Sequence, residues 1–222
     1  MAIVFIDLDG TLIEKESSER LFFLYLLRKG ALGIPQISLF LFFALRRLPR
    51  LGKSVWKKNK AYLSGLSEEY VAERAGEFVG KELLPSLRRE MTDRISRHRQ
   101  NGDETVLLTG TLAAIAEPVA RHGGIDAVRA TVCAVSDGRF RPLPPPVHPF
   151  HAEKLRIARR MCAEKGISLR ECTAYGDSIH DLPLLEAVGK PVAVCPDRAL
   201  KRIALSRSWE ILGESPSRRR GR

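Results

Sequence analysis

Two aspartates one residue apart close an uninterrupted apolar run near the start of the chain, Ile3-Val4-Phe5-Ile6-Asp7-Leu8-Asp9-Gly10-Thr11. Side chains two apart on a strand point the same way, so Asp7 and Asp9 can serve one site. Taken alone, the stretch also reads as a strand followed by an ordinary Asp-Gly turn. Similar junctions recur downstream. Thr109-Gly110-Thr111 follows Val106-Leu107-Leu108, and Asp177-Ser178 follows Ala174-Tyr175-Gly176, with Asp181 a helical turn further on. Lys154 falls in the first turn of a helix-forming stretch that starts at His151. The set comprises several carboxylates, a hydroxyl beside a glycine amide, and one ammonium. Carboxylates gathered in this way repel one another, and a hard divalent cation is needed to hold them. Mg²⁺ takes a few carboxylates, keeps several waters and binds phosphate oxygens. Thr109, the Gly110 amide and Lys154 suit the remaining phosphate oxygens. Such a set can transfer a phosphoryl group to an aspartate.

These groups meet only if the strands that end in them share one parallel sheet, whose ligands bind outside the carboxyl ends of the strands. The apolar run before Asp7 carries no polar interruption, as expected of a strand buried on both faces. Further strands are predicted at about 104–109, 171–175 and 191–195, with helices at about 112–122, 151–165 and 179–188 and a final one from Asp197. Residues 128–140 read as a hairpin turned at Ser136-Asp137-Gly138. From Ile13 to about Pro85 the pattern is helical instead of alternating. Apolar helices are expected over Leu21–Leu27 and from Ile34 to Leu45, and a helix opened by Ser67-Glu-Glu follows. Another runs from Pro85 to Asn101-Gly102. The fold class expected is α/β, a doubly wound parallel sheet with an inserted α-helical cap. Residues 1–13 and 86–213 form the catalytic core in this reading, 14–85 the cap, and 214–222 a disordered basic tail.

The chain has 222 residues and a formal net charge of +11. That excess favours polyanions, anionic surfaces or anionic substrates, and says nothing of fold. From Arg20 to Ser67 there are ten basic residues and no acid. Apolar helices with basic flanks suit either a buried cap with a solvated rim or peripheral contact with an anionic membrane. Neither apolar run reaches the ~20 residues of a membrane-spanning helix. No nucleic-acid-binding motif is present, so no nucleic-acid partner is expected. The four cysteines show no metal-ligand spacing, and the N-terminus lacks the basic leader of a secretory signal. The expected location is cytoplasmic, or peripheral at the inner face of a membrane. His148 and His151 read as loop histidines near the site entrance, and His180 as facing solvent.

Asp7-Leu-Asp9-Gly10-Thr11, Thr109-Gly110, Lys154 and Gly176-Asp177-Ser178-x-x-Asp181 resemble, in order and spacing, the four motifs of the haloacid dehalogenase (HAD) superfamily. The helical insertion after the first motif resembles the cap of its phosphoserine-phosphatase-like subfamily IB. Asp7 to Arg28, with Thr109-Gly110-Thr111 and His151-Ala-Glu-Lys154, is also similar to the phosphatidylglycerophosphatase C type. The resemblance implies a Mg²⁺-dependent phosphomonoesterase with Asp7 as nucleophile and Asp9 as general acid and then base. It implies Mg²⁺ on the Asp7 carboxylate, the Asp9 backbone carbonyl and Asp177. Phosphate would be held by Thr109, Gly110 and Lys154, with Gly10, Thr11 and Asp181 in support. Glu16 stands where phosphoserine phosphatases carry the acid for the substrate ammonium. Lys57 and Lys58 stand in the basic stretch comparable to their carboxylate-binding arginine, and lysine lacks arginine's bidentate fork. The substrate implied is a small-molecule phosphomonoester, or a lipid one hydrolysed at a membrane surface.

Overall fold

The computed structural model describes residues 2–14, 17–51 and 59–213, the side chains of 46–51 excepted. Glu16, Lys57, Lys58 and the 214–222 tail lie outside the described residues. The apolar first stretch forms β1 (Ile3–Ile6). It is followed by β2 (Glu104–Leu112), β3 (Ala127–Thr131), a short hairpin of β4 (Val135–Ser136) and β5 (Arg139–Phe140), then β6 (Thr173–Gly176), β7 (Lys190–Val194) and β8 (Glu210–Leu212). The main sheet has the order β3-β2-β1-β6-β7-β8, with every neighbouring pair parallel. The chain steps outward from β1 through β2 and β3, then crosses back and steps outward the other way from β6. The strand order reverses between β1 and β6, and that reversal opens a crevice at their carboxyl ends.

Burial on two sides explains the uninterrupted apolar run. Ile3 and Phe5 pack on one face with Val106, Leu108 and Ala174. Val4 and Ile6 pack on the other with Leu107 and Tyr175. Between β1 and β2 lie α1 (Ser18–Arg28), α2 (Ile34–Leu51), α3 (Glu68–Phe78) and α4 (Arg89–Gln100). Ser17 caps α1 by accepting from the Arg20 amide, and Ser67 caps α3 by accepting from the Tyr70 amide. Phe22, Tyr25 and Leu26 of α1 and Phe78 of α3 belong to the same buried cluster as Val4 and Ile6. Helices α1 and α3 therefore bury their apolar faces against the sheet's own core, while α2 leaves Ile34, Leu41, Phe42 and Leu45 exposed. None of the described helices is long and apolar enough to cross a membrane. The remaining helices are α5 (Ala113–Gly123), α6 (Ala152–Glu164), α7 (Leu182–Leu185) and α8 (Arg198–Ser206).

Two expectations need correction. Residues 127–131 are not the first arm of a hairpin but a parallel strand of the main sheet, with Val106 opposite Ala127. Its outer position leaves Arg129 exposed, which hides the strand from a search for apolar runs. The chain also does not end on the helix that starts at Asp197, because β8 follows it and pairs with β7.

The start of β1 is pinned by Asp103, which accepts from the Ala2 amide and from His98 Nδ1, both at 3.0 Å. Burial raises the Asp103 carboxyl, but these bonds outweigh it and hold its pKa below the ordinary value. A depressed carboxylate adds stability above its unfolded pKa of about 4, and that stability is lost as pH falls through the folded value. Asp103→Ala should therefore cost about 1–2 kcal/mol at pH 7. In urea melts at several pH values, the gap from wild type should close below about pH 4.

Candidate active site

Asp7 follows β1 and keeps its backbone in the ladder, donating its amide to the Tyr175 carbonyl at 3.1 Å. The chain must then turn away tightly. Gly10 makes this possible at φ +81°, and a Cβ there would lie 2.2 Å from Asp177 Oδ2. Gly10 thus lets the first motif approach the fourth. Asp177 and Asp181 follow β6, and Lys154 rises from the first turn of α6. The buried Lys154 ammonium lies 2.5 Å from Asp7 Oδ1 and 2.6 Å from Asp181 Oδ1. Ser178 Oγ donates to Asp181 Oδ2 at 3.2 Å. Asp7, Asp177 and Asp181 each offer one oxygen within 4.8 Å of the others'.

Asp9 is held separately. Its Oδ1 accepts from the Ser18 amide at 2.8 Å, at the positive end of α1, and its Oδ2 accepts from Thr111 Oγ1 at 3.0 Å. Thr111 spends its proton on Asp9, so the 3.1 Å contact between Ser18 Oγ and Thr111 Oγ1 has Ser18 as donor. The two aspartates of the first motif therefore have different surroundings: Asp7 faces an ammonium and two further acids, while Asp9 sits in a frame of neutral donors.

The electrostatics bear on the cation. Burial, with Asp181 alongside, pushes Asp7 up to about 7, although Lys154 pulls it down. Burial alone would lower Lys154, but Asp181 and Asp7 hold its pKa above the ordinary value, so it stays charged. Three carboxylates, Asp7, Asp177 and Asp181, gather beside one ammonium, and ionising them together needs more positive charge than Lys154 brings. An all-oxygen donor set with excess negative charge suits Mg²⁺.

A directed hydrogen-bond chain reaches Thr109. Thr131 Oγ1 donates to the Gly110 carbonyl at 2.6 Å. With that proton spent, the 2.8 Å contact between Thr131 Oγ1 and His148 Nδ1 must have His148 as donor, which fixes its tautomer. The peptide unit that Thr131 orients carries the Thr111 amide, and this donates to Thr109 Oγ1 at 3.2 Å. Thr109 therefore accepts from the backbone and can aim its own proton into the cavity. Thr131→Val should raise KM for a phosphate ester about 10-fold, the loss of one hydrogen bond's worth of alignment. Thr131→Ser should restore it. In a Thr109→Val background Thr131→Val should add little, the non-additivity expected of one network.

The site opens on a cavity of about 740 Å³. The structure brings together Asp7, Asp9, Thr109, Gly110, Lys154, Asp177 and Asp181 on its wall. Gly10 and the buried Thr11 lie behind it. The cavity is also lined by residues that the sequence reading did not single out: Glu19, Phe23, Phe40 and Tyr62. Glu19 and Phe23 stand one turn apart on α1, but Phe40 and Tyr62 come from other elements, and singly the four read as core or as a helix-start acid. His180 does not simply face solvent. It lines the cavity, with its ring 4.8 Å from Phe150 and 6.3 Å from His151. His148 and His151 also line it, as expected for loop histidines at the entrance.

Comparison with known proteins gives the family. The haloacid dehalogenase-like hydrolase family model matches residues 4–186. The chain is 32% identical over 216 residues to the inhibition of morphological differentiation protein of Streptomyces azureus, covering 94% of this chain and 76% of that one. It is 30% identical to a phosphoserine phosphatase of Mycobacterium tuberculosis, covering 95% and 70% of the two chains. It is 31% identical to a histidinol-phosphatase of Neisseria meningitidis, covering 70% and 72%. The crystal structure of a protein of unknown function from Bordetella pertussis superposes with a TM-score of 0.79 at 28% identity, over 96% of this chain and 98% of that one. The chain belongs to the haloacid dehalogenase-like hydrolase family, as a phosphatase of that family.

Proposed function

We propose that this protein is a Mg²⁺-dependent phosphomonoester hydrolase that works through an aspartyl phosphate on Asp7. The observation that carries the reading is the separation of the paired aspartates, with Asp7 tied to Lys154 and Asp9 held in its own frame of neutral donors. A nucleophile must be ionised and aimed, whereas a proton carrier must be close by without being locked to a cation. The Asp7 carboxylate attacks phosphorus while the bond to the leaving alcohol breaks, and Asp9 gives that oxygen its proton. Asp9 then takes a proton from the attacking water, and the Asp7–phosphorus bond breaks to release inorganic phosphate. Thr109, the Gly110 amide and Lys154 hold the phosphoryl oxygens, and Asp181 holds Lys154. Mg²⁺ would be held by the Asp7 carboxylate, the Asp9 backbone carbonyl and Asp177, where it would offset the charge of the phosphate as the nucleophile approaches. Residues 14–85 serve as the cap that supplies the wall opposite this machinery.

Two relatives bear names of amino-alcohol phosphatases, one for phosphoserine and one for histidinol phosphate. The substrate reading follows that class: a small phosphomonoester whose alcohol carries nitrogen. Phosphate release from an aryl phosphate in Mg²⁺ tests the reaction. Release should stop with a chelator and return with added Mg²⁺. Turnover that survives the chelator would overturn the cation's part. A screen of phosphoserine, histidinol phosphate, phosphatidylglycerophosphate in vesicles and nucleotides tests the substrate class, with histidinol phosphate expected to lead.

A further inference from the structure

The cavity has two chemically distinct walls. The machinery described above forms one. Phe23 and Phe40 form the other, with ring centroids 4.7 Å apart and stacked, and the Tyr62 ring meets Phe23 edge-on at 5.3 Å. A carboxylate is set into these rings. Glu19 lines the cavity and takes an ion pair from Lys60, whose side chain is 3% exposed, and the Tyr62 hydroxyl donates to Glu19 Oε1 at 3.4 Å. The Lys60 ammonium cancels most of the Glu19 charge, so this wall presents apolar ring surface with one hydrogen-bond acceptor in it. A carboxylate has about four lone-pair sites, and these two contacts leave room for a ligand. An arginine at the mouth, Arg20, is exposed, where an ion pair is worth little.

Such a wall selects for more than charge. Phosphoserine has no ring, and its carboxylate would face a wall that already carries an acid. Resting on the phosphatase reading above, we propose that Phe23, Phe40, Tyr62 and Glu19 form the leaving-group subsite, and that its substrate is a phosphomonoester of an alcohol bearing both an aromatic ring and a nitrogen donor. The ring packs against the Phe23–Phe40 stack, and the nitrogen donates to Glu19. Aromatic pairs prefer offset or edge-on packing, which a substrate ring can adopt against Phe23, the half-buried member of the three.

Four esters separate the two contributions: ethyl phosphate, phosphoethanolamine, 2-phenylethyl phosphate and 2-amino-3-phenylpropyl phosphate. The ring should raise kcat/KM about 10- to 100-fold through burial of apolar area. The nitrogen should raise it about 10-fold. The ester carrying both should lead. Phe23→Ala should reduce the ring's advantage to about threefold or less, because the stack loses one member. Glu19→Gln should remove the nitrogen's advantage and leave the ring's. A thermal melt of each variant shows whether it folds. Calorimetric binding of the four esters to Asp7→Asn, in which turnover is removed, should show the same order of affinities. If phosphate is released from all four esters at rates within threefold, or fastest from phosphoethanolamine, the subsite is wrong and the phosphatase reading stands. If no ester releases phosphate, both fall.

Discussion

Asp7→Asn is expected to lower kcat by about 10⁴-fold or more while leaving a folded protein, the scale seen when a covalent nucleophile is removed. The substitution keeps shape and changes one oxygen to an amide nitrogen, so the cavity should keep its volume. What goes is the attacking oxygen and a ligand for the cation. A stability readout separates this loss from unfolding. Burial first, and Asp181 second, raise the Asp7 carboxyl to about 7. A carboxyl raised in the folded state destabilises that state progressively as pH rises from its unfolded value of about 4 through its folded one. In Mg²⁺-free buffer the wild-type melting temperature should therefore fall between about pH 4 and 7, and Asp7→Asn should lack that component. A variant that is inactive and yet as stable as wild type at pH 8, or more so, has lost chemistry, not fold. Wild-type turnover of an aryl phosphate by Asp7→Asn would end the covalent mechanism.

Lys154→Met should act on both. The ammonium lies 2.5 Å from Asp7 and 2.6 Å from Asp181, and all three side chains are largely shielded from water. Removing one partner of a buried ion pair costs about 3–5 kcal/mol, because the other partner keeps its charge without compensation. Here two acids are left facing each other. The expected result is a large drop in urea midpoint together with loss of turnover. Adding Asp181→Asn should recover part of the midpoint but not the turnover, since one of the two stranded charges is then gone. If Lys154→Met melts like wild type, the ammonium is not the counter-charge described above.

The legible and illegible parts of the molecule divide along a physical line. The strand before Asp7 could be read because burial on both faces forbids polar residues, and that leaves a mark in four consecutive positions. The carboxylates, Thr109 and Lys154 could be read because each stands at or near the carboxyl end of such a strand or opens a helix, so sheet topology alone brings them together. Outer strands left no such mark. β3 carries an exposed arginine, and β8 has three residues with the first exposed. The wall around Glu19 was out of reach for another reason. Phe23 and Phe40 come from two helices and Tyr62 from a short turn, and their meeting depends on how those helices lie over the sheet. The acid expected to face the substrate, Glu16, lies outside the described residues, and Glu19 is the described acid on that wall.

The pairing of β1 has a consequence for biosynthesis. Ile3 pairs with Glu104 and Val4 with Thr173, so the first strand made finds its second neighbour only when most of the chain exists. At ~5–20 residues per second, that interval is roughly ten to thirty seconds. Pairings this distant along the chain also fold slowly once the chain is released. Until β2 is made Ile3-Val4-Phe5-Ile6 has both edges open, and until β6 is made it keeps one open, and such a segment is what chaperones protect from self-association. Nascent chains stalled before residue 173 should therefore be protease-sensitive in their first ten residues and blind to Mg²⁺, with both properties switching together once β6 clears the ribosome.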